Sequence, residues 1–246
     1  MALEQDKQHQ QGRQHQVDGQ QDKQDSTRQS EQESKNQSSV IAMMTTEHYN
    51  LQSGRAMTIS EANGRASLFL STVSTALVAL AFVAQIAKLS TEFYVFALIL
   101  LPSLFFIGLV TFERSVQVAI EDIIYARGIN RIRHLYTEIA PQITEYFVLP
   151  YYDDDMSVYG SEGANSSWWQ FFLTMSGMVA VINSVIAATF LGLLVYRFLN
   201  LPLMSSVLVG LIGFVIIVVL FWRYQWTRWG EAQQRLKPLF PRPAAK

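Results

Sequence analysis

The stretch FLNLPLMSSVLVGLIGFVIIVVLFW, Phe198–Trp222, runs 25 residues without a charge. About 20 apolar residues at 1.5 Å rise cross the roughly 30 Å hydrocarbon core of a bilayer. A helix buried in a water-soluble core does not need that much continuous apolar length. Three other uncharged stretches are at least 20 residues long: Ala66–Ala87, Phe93–Phe112 and Gly163–Tyr196. The sequence therefore reads as all-α, a polytopic membrane protein with four transmembrane helices.

The overall composition, 50% hydrophobic and 16% charged with a net charge of −1, averages two unlike parts. Residues 1–65 are polar and glutamine-rich, whereas nearly all the hydrophobicity lies in 66–222. Net charge thus says little about partners. The chain has no Cys, which excludes disulfides, thiolate metal sites and cysteine nucleophiles. Residues 1–40 hold no apolar run to serve as a signal core, so the first crossing is expected to direct insertion.

Three regions follow. Residues 1–45 are expected to be a disordered Gln-rich tail, because they hold too little apolar surface to offset chain entropy. Residues 46–237 form the membrane domain, with a cytoplasmic insert over about 113–165. Residues 238–246 are a Pro-rich end. Within the membrane domain, 46–65 lead into the first crossing with Ser60 as a candidate cap. Pro102 is expected to kink the second crossing. Beyond Phe112, Val116, Ile120 and Ile123 recur at helical spacing, so that helix is expected to continue as an amphipathic stalk to about Gly128. A second amphipathic helix is expected from Ile129 until Pro141 breaks it. The fourth crossing is expected to run on to about Leu236. Together these segments predict a cytoplasmic helical layer.

Orientation follows from the basic residues. Arg55, Arg65, Arg114, Arg127, Arg131, Arg133, Arg223, Arg228, Arg235 and Lys237 flank one side of the crossings, and only Lys88 and Arg197 the other. Both termini are therefore expected in the cytoplasm and the protein in a bacterial-type inner membrane. Trp168, Trp169, Trp222, Trp226 and Trp229 suit interfacial anchors rather than a ligand cage.

Small residues let helices approach closely in lipid. In the third crossing Ser176, Ala180, Ser184, Ala188 and Gly192 recur every four residues, and the first has a similar series from Ser67. Helices one and three are thus expected inside a homo-oligomer, with bulky helix two against lipid.

Signs of catalysis are few. There is no His pair at metal spacing, no Gly-rich phosphate loop and no Ser nucleophile elbow. No enzyme activity, metal, cofactor or nucleic-acid partner is expected. His134 reads as a residue on a solvated face. The run Asp153–Asp155 lacks the alternating spacing of a calcium loop and reads as a solvated turn. No ionisable residue lies inside a crossing, which argues against ion-coupled transport. What remains is uncharged polarity: Asn183 in the third crossing, and Gln85 with Ser67, Ser71 and Ser74 along one face of the first. Such groups suit either interhelical hydrogen bonds or a narrow aqueous path.

The residues Glu61-Ala62-Asn63-Gly64-Arg65-Ala66-Ser67-Leu68 carry a short resemblance. They resemble the Ala-Asp-x-Lys-Ala-Ser-x-Leu entry to the first crossing in small bacterial two-helix membrane effectors of cyclic-nucleotide antiphage defence. The resemblance covers about ten residues and the hairpin topology to Phe112. It implies oligomerisation and membrane disruption. This chain departs from that family in having four crossings and no recognisable nucleotide-sensing domain. The functional expectation is a homo-oligomeric channel or pore-forming protein. The alternative is a non-conducting scaffold, solvated by membrane lipid, that docks a cytoplasmic protein partner through the helical layer.

Overall fold

A computed structural model describes the backbone of residues 2–88, 90–160 and 170–243, and side chains from residue 27 onward except that of residue 170. The described residues are helical, without strands. The helices are α1 (Ala2–Ala87), α2 (Thr91–Ile139), a 3-10 helix (Pro141–Tyr146), α3 (Asp155–Gly160), α4 (Gln170–Leu173), α5 (Met175–Phe198) and α6 (Leu203–Arg235). Among the described residues, α1, α2, α5 and α6 each contain a window long and apolar enough to cross a membrane. α5 alone, at 24 residues, spans about 36 Å at 1.5 Å per residue. Trp168 and Trp169 lie outside the described residues.

The chain divides into two units, Met1–Asn50 and Leu51–Lys246. In the first, the backbone is helical from Ala2, where composition predicts a disordered tail. Gln, Glu and Lys are good helix formers, and composition scored only the missing hydrophobic core. From Thr27 on, the side chains of this unit are almost all exposed. Ser38, Ser39, Thr45 and Thr46 turn their hydroxyls back to the carbonyls four residues earlier.

In the second unit α1 and α2 pair antiparallel. Arg55 bonds Asp122 at 2.6 Å, Glu61 meets Arg114 at 3.0 Å, and Phe69 reaches Gly108. The α1 residues that bury are Ala62, Ala66, Phe69, Val73 and Ala76, alternately four and three apart, the seam of a left-handed helix pair. Ser60 therefore caps nothing, and α1 continues through it.

One correction concerns α2. Its bulk predicts a lipid-facing position, and Val95, Ile99, Phe106 and Val110 do face outward, yet Ala97, Leu101, Leu104, Phe112 and Val116 are buried. α2 packs against α5 and α6 as well as α1. In lipid, bulk and outward placement need not coincide. A large side chain is buried wherever small residues opposite make room for it, as Val179 and Ala180 sit with Leu101 and Leu104 in one cluster. α6 instead turns Leu208, Leu211, Ile212, Val215 and Val219 outward.

α2 also runs unbroken through Pro102 and past Gly128, where the stalk is expected to end. Ala126, Arg127, Ile129, Asn130 and Ile132 are all buried there, so packing holds the helix together across the glycine. Pro141 does stop it, and α6 ends at Arg235, one residue from the expected Leu236.

α5 and α6 are joined by a tight turn in which Asn200 takes a positive φ of 52°, a conformation Asn tolerates. Their contact is close: a Cβ added at Gly210 would lie 3.1 Å from the Ala188 carbonyl oxygen. The small-residue series of α5 thus meets α6 of its own chain.

Candidate functional site

Polar groups gather in three places. The first is the exposed face of α1. Ser67, Ser71, Ser74 and Gln85 are all exposed, on the side opposite the seam with α2. Gly64, Val78 and Ala81 continue the same three-and-four spacing and are exposed too. α1 therefore carries a strip of mostly small and polar side chains that does not face α2, interrupted by the apolar Val78.

The second is Asn183, which the structure places elsewhere. It is 0% exposed on α5, and neither its Oδ1 nor its Nδ2 has a hydrogen-bond partner. A Cβ on Gly108 would fall 2.2 Å from Asn183 Oδ1 and 2.9 Å from Phe69 Cε2. The carboxamide thus occupies the notch that Gly108 leaves in α2, with Phe69 of α1 beside it. Asn183 makes no interhelical hydrogen bond and does not join the α1 strip. An unsatisfied buried carboxamide costs on the order of 1–3 kcal/mol per group.

The small-residue series of α5 divides between two neighbours. Ser176, Ala180 and Ser184 are buried, and Ser184 returns its hydroxyl to the Ala180 carbonyl at 2.7 Å. Ala188 and Gly192 are half-buried against α6.

The third place is an ion-paired layer outside the membrane spans. Asp153 is fully buried. It accepts bonds from Arg131 Nε at 2.7 Å and from the Leu239 and Phe240 N–H groups at 2.8 and 2.7 Å. Its own N–H donates to the Phe240 carbonyl at 3.2 Å. Asp154 caps α3 by accepting from the Ser157 hydroxyl and N–H. Asp155 pairs with Arg127 at 2.5 Å, and Arg127 is only 2% exposed. Arg127 also donates to the Leu236 carbonyl. The run Asp153–Asp155 is thus an anchor for α2 and the C-terminal segment, not a solvated turn. Sequence pointed to it only through the three acids and the four arginines upstream; their pairing is tertiary. His134 is not on a solvated face either, since its ring stacks on Phe240 at 4.4 Å.

This layer extends along α1, α2 and α6. Arg114 bridges Glu61 and Glu121, and Tyr224 donates to Glu113 at 2.7 Å. Hydrogen bonds from Arg114 and Arg65 pull Glu61 down to about 2 from an ordinary 4.5. Burial pushes Asp153 up, but the bonds from Leu239, Arg131 and Phe240 outweigh it and leave the carboxyl below its usual value. Both carboxyls bind protons less readily folded than unfolded. Their stabilisation is therefore complete above the ordinary carboxylate range and lost as pH falls through the folded values. The melting temperature in detergent is expected to be insensitive to Glu61 above about pH 6 and to fall steeply below pH 4. Glu61→Gln should flatten part of that acid limb. An unchanged limb would show that Glu61 does not contribute to it.

Among the described residues no group of three His, Asp or Glu is placed to hold a metal ion. No family model, curated protein or solved structure matches this chain.

Proposed function

We propose that the chain is a homo-oligomeric membrane channel or pore whose path is lined by the Ser67–Ser71–Ser74–Gln85 face of α1. The observation that carries this reading is the exposure of that strip beside exposed large apolar side chains such as Leu68, Leu77 and Phe82, while the exposed Thr72 and Thr75 satisfy their hydroxyls on the carbonyls four residues earlier. Polar strips of this kind in hydrocarbon are met by a second polar strip or by water. Copies of α1 around an axis supply both. The basic residues set N-terminus, C-terminus and central layer in the cytoplasm. The resemblance at Glu61–Leu68 agrees with an oligomer of the first hairpin, as in defence effectors.

The chain has no native Cys, so single cysteines report cleanly. Ser67→Cys, Ser71→Cys and Ser74→Cys should react with a membrane-impermeant thiol reagent in reconstituted protein, and reaction should alter the current in bilayer recordings. Leu68→Cys and Leu77→Cys should stay inert. Labelling that ignores this periodicity, or no current under any condition, would remove the pore reading.

A second reading, a non-conducting scaffold, is favoured by one observation. Outside the spans, Tyr146 is 82% and Val148 97% exposed, with Leu149 beside them. Apolar groups clustered on a surface in water suit a protein partner. Absence of current together with specific partner capture that Val148→Glu abolishes would favour it.

A further inference from the structure

Between the start of α2, the second half of α5 and the first half of α6 lies an open apolar groove of about 710 Å³. That volume is within the roughly 300–1,000 Å³ of small-ligand sites. We propose that it is a binding site for one phospholipid of the leaflet at the α1–α2 and α5–α6 turns. The inference is independent of conduction, because no described α1 side chain lines the groove.

Length is the first argument. The lining runs from Val185 to Tyr196 on α5 and from Leu203 to Phe214 on α6. Twelve residues at 1.5 Å rise give about 16–18 Å, close to half of the roughly 30 Å hydrocarbon core. The groove therefore extends through one leaflet and stops. A partner helix crossing the bilayer would use a seat along its whole span.

The floor of the groove is the second. Ala188 and Gly192 on α5 and Ser206 and Gly210 on α6 are already engaged with each other, at 3.1 Å and 3.4 Å between a would-be Cβ and a carbonyl oxygen. These small residues serve the α5–α6 contact and are not free to receive a further helix. The walls, such as Thr189, Leu193, Val207 and Phe214, stand higher than the floor and leave the slot open to lipid.

Charge at the rim is the third. The open end carries the ring pair Tyr94–Tyr196 at 6.4 Å, and Tyr is an interfacial residue. Arg197, in the last turn of α5, and Lys88, in the α1–α2 turn, are both exposed at this end. Among the described residues Glu92 is the single exposed acid there, and it is bonded by Ser90. Two cations against one anion at the headgroup level suit a phosphate, so the occupant is a phospholipid rather than a neutral lipid.

The test is native mass spectrometry of the full chain, purified in detergent, delipidated and titrated with palmitoyl-oleoyl phosphatidylglycerol or with the diacylglycerol of the same chains. One phospholipid per chain should be retained, and the diacylglycerol should bind about tenfold more weakly. Thr189→Phe with Val207→Phe fills the slot without touching its floor and should lower phospholipid retention at least tenfold. Arg197→Gln with Lys88→Gln leaves the packing intact and should abolish the preference over diacylglycerol. Retention unchanged by filling the slot overturns the proposal, as does equal retention of both lipids by the unaltered chain. Conversion of an oligomer to single chains by the filled variant, with lipid retention unaltered, would identify a second copy as the occupant and also overturn it.

Discussion

Gly108→Ala is expected to lower the denaturation temperature of the detergent-purified protein by several degrees, and Asn183→Ala in the same chain to restore most of the loss. The new methyl would stand 2.2 Å from Asn183 Oδ1, well inside contact distance. Asn183 Cγ would lie 2.6 Å and Phe69 Cε2 2.9 Å from it. Neither side chain has room to turn aside, because Asn183 is 0% and Phe69 1% exposed. Overpacking of this kind costs about 1–3 kcal/mol. Asn183→Ala alone removes two unsatisfied polar atoms and some packing, terms of opposite sign and similar size. The informative quantity is the coupling between the sites, expected in the 0.5–3 kcal/mol range of residues in contact. Additive effects, measured by thermal denaturation of all four variants, would show that the two residues do not share the notch.

The same pair bears on function. Asn183 is the kind of group that a bundle uses in some other state or wets through a water, since a resting hydrogen bond is missing. If the pore reading holds, the Asn183→Leu current should differ from wild type in gating but not in the reagent pattern on α1, because Asn183 lies away from that strip. A change in the α1 pattern instead would place Asn183 on the path.

Much of the architecture was legible because lipid imposes a simple rule: a span must be long, apolar and helical. The four stretches and the stop at Pro141 follow from that rule and from proline chemistry. The position of α2 did not. Phe112 and Leu104 have the same composition signature facing lipid as facing protein, and only their partners in α5 and α6 tell the two apart. The polar layer was hidden for another reason. Arg127 and Asp155 are 28 residues apart, and Asp153 reaches Leu239 and Phe240 at 86 and 87 residues. Nothing in local spacing marks such pairs, so three consecutive acids looked like a solvated turn. The polar strip on α1 was visible as a spacing, but whether it faced α2 or the outside required the seam through Phe69 and Val73.

Asp153→Ala is expected to free the C-terminal segment from α2 and to destabilise the layer as a whole. Three donors converge on this carboxylate, and one of them, Arg131, is charged. Bonds to charged groups contribute about 1.5–3 kcal/mol each. Water will satisfy Arg131 after the change, because its side chain is already one-third exposed. The Leu239 and Phe240 N–H groups lose their acceptor as well, although Leu239 itself is exposed and water can reach it. The net loss should thus be about 3 kcal/mol, that of one or two bonds to a charged group. Hydrogen exchange reads it directly. The Leu239 and Phe240 amides should be protected in the unaltered chain and should exchange at the rate of free coil in Asp153→Ala. Asp153→Asn separates charge from shape: it keeps one acceptor oxygen but sets an NH2 against a donor, so it should behave nearly as badly as alanine. Asp155→Ala is the control, since its carboxylate is half exposed and contacts Arg127 rather than the segment's amides. Amides at 239 and 240 that stay protected without Asp153 would mean that the segment is held by the Phe240 ring stack and not by the carboxylate.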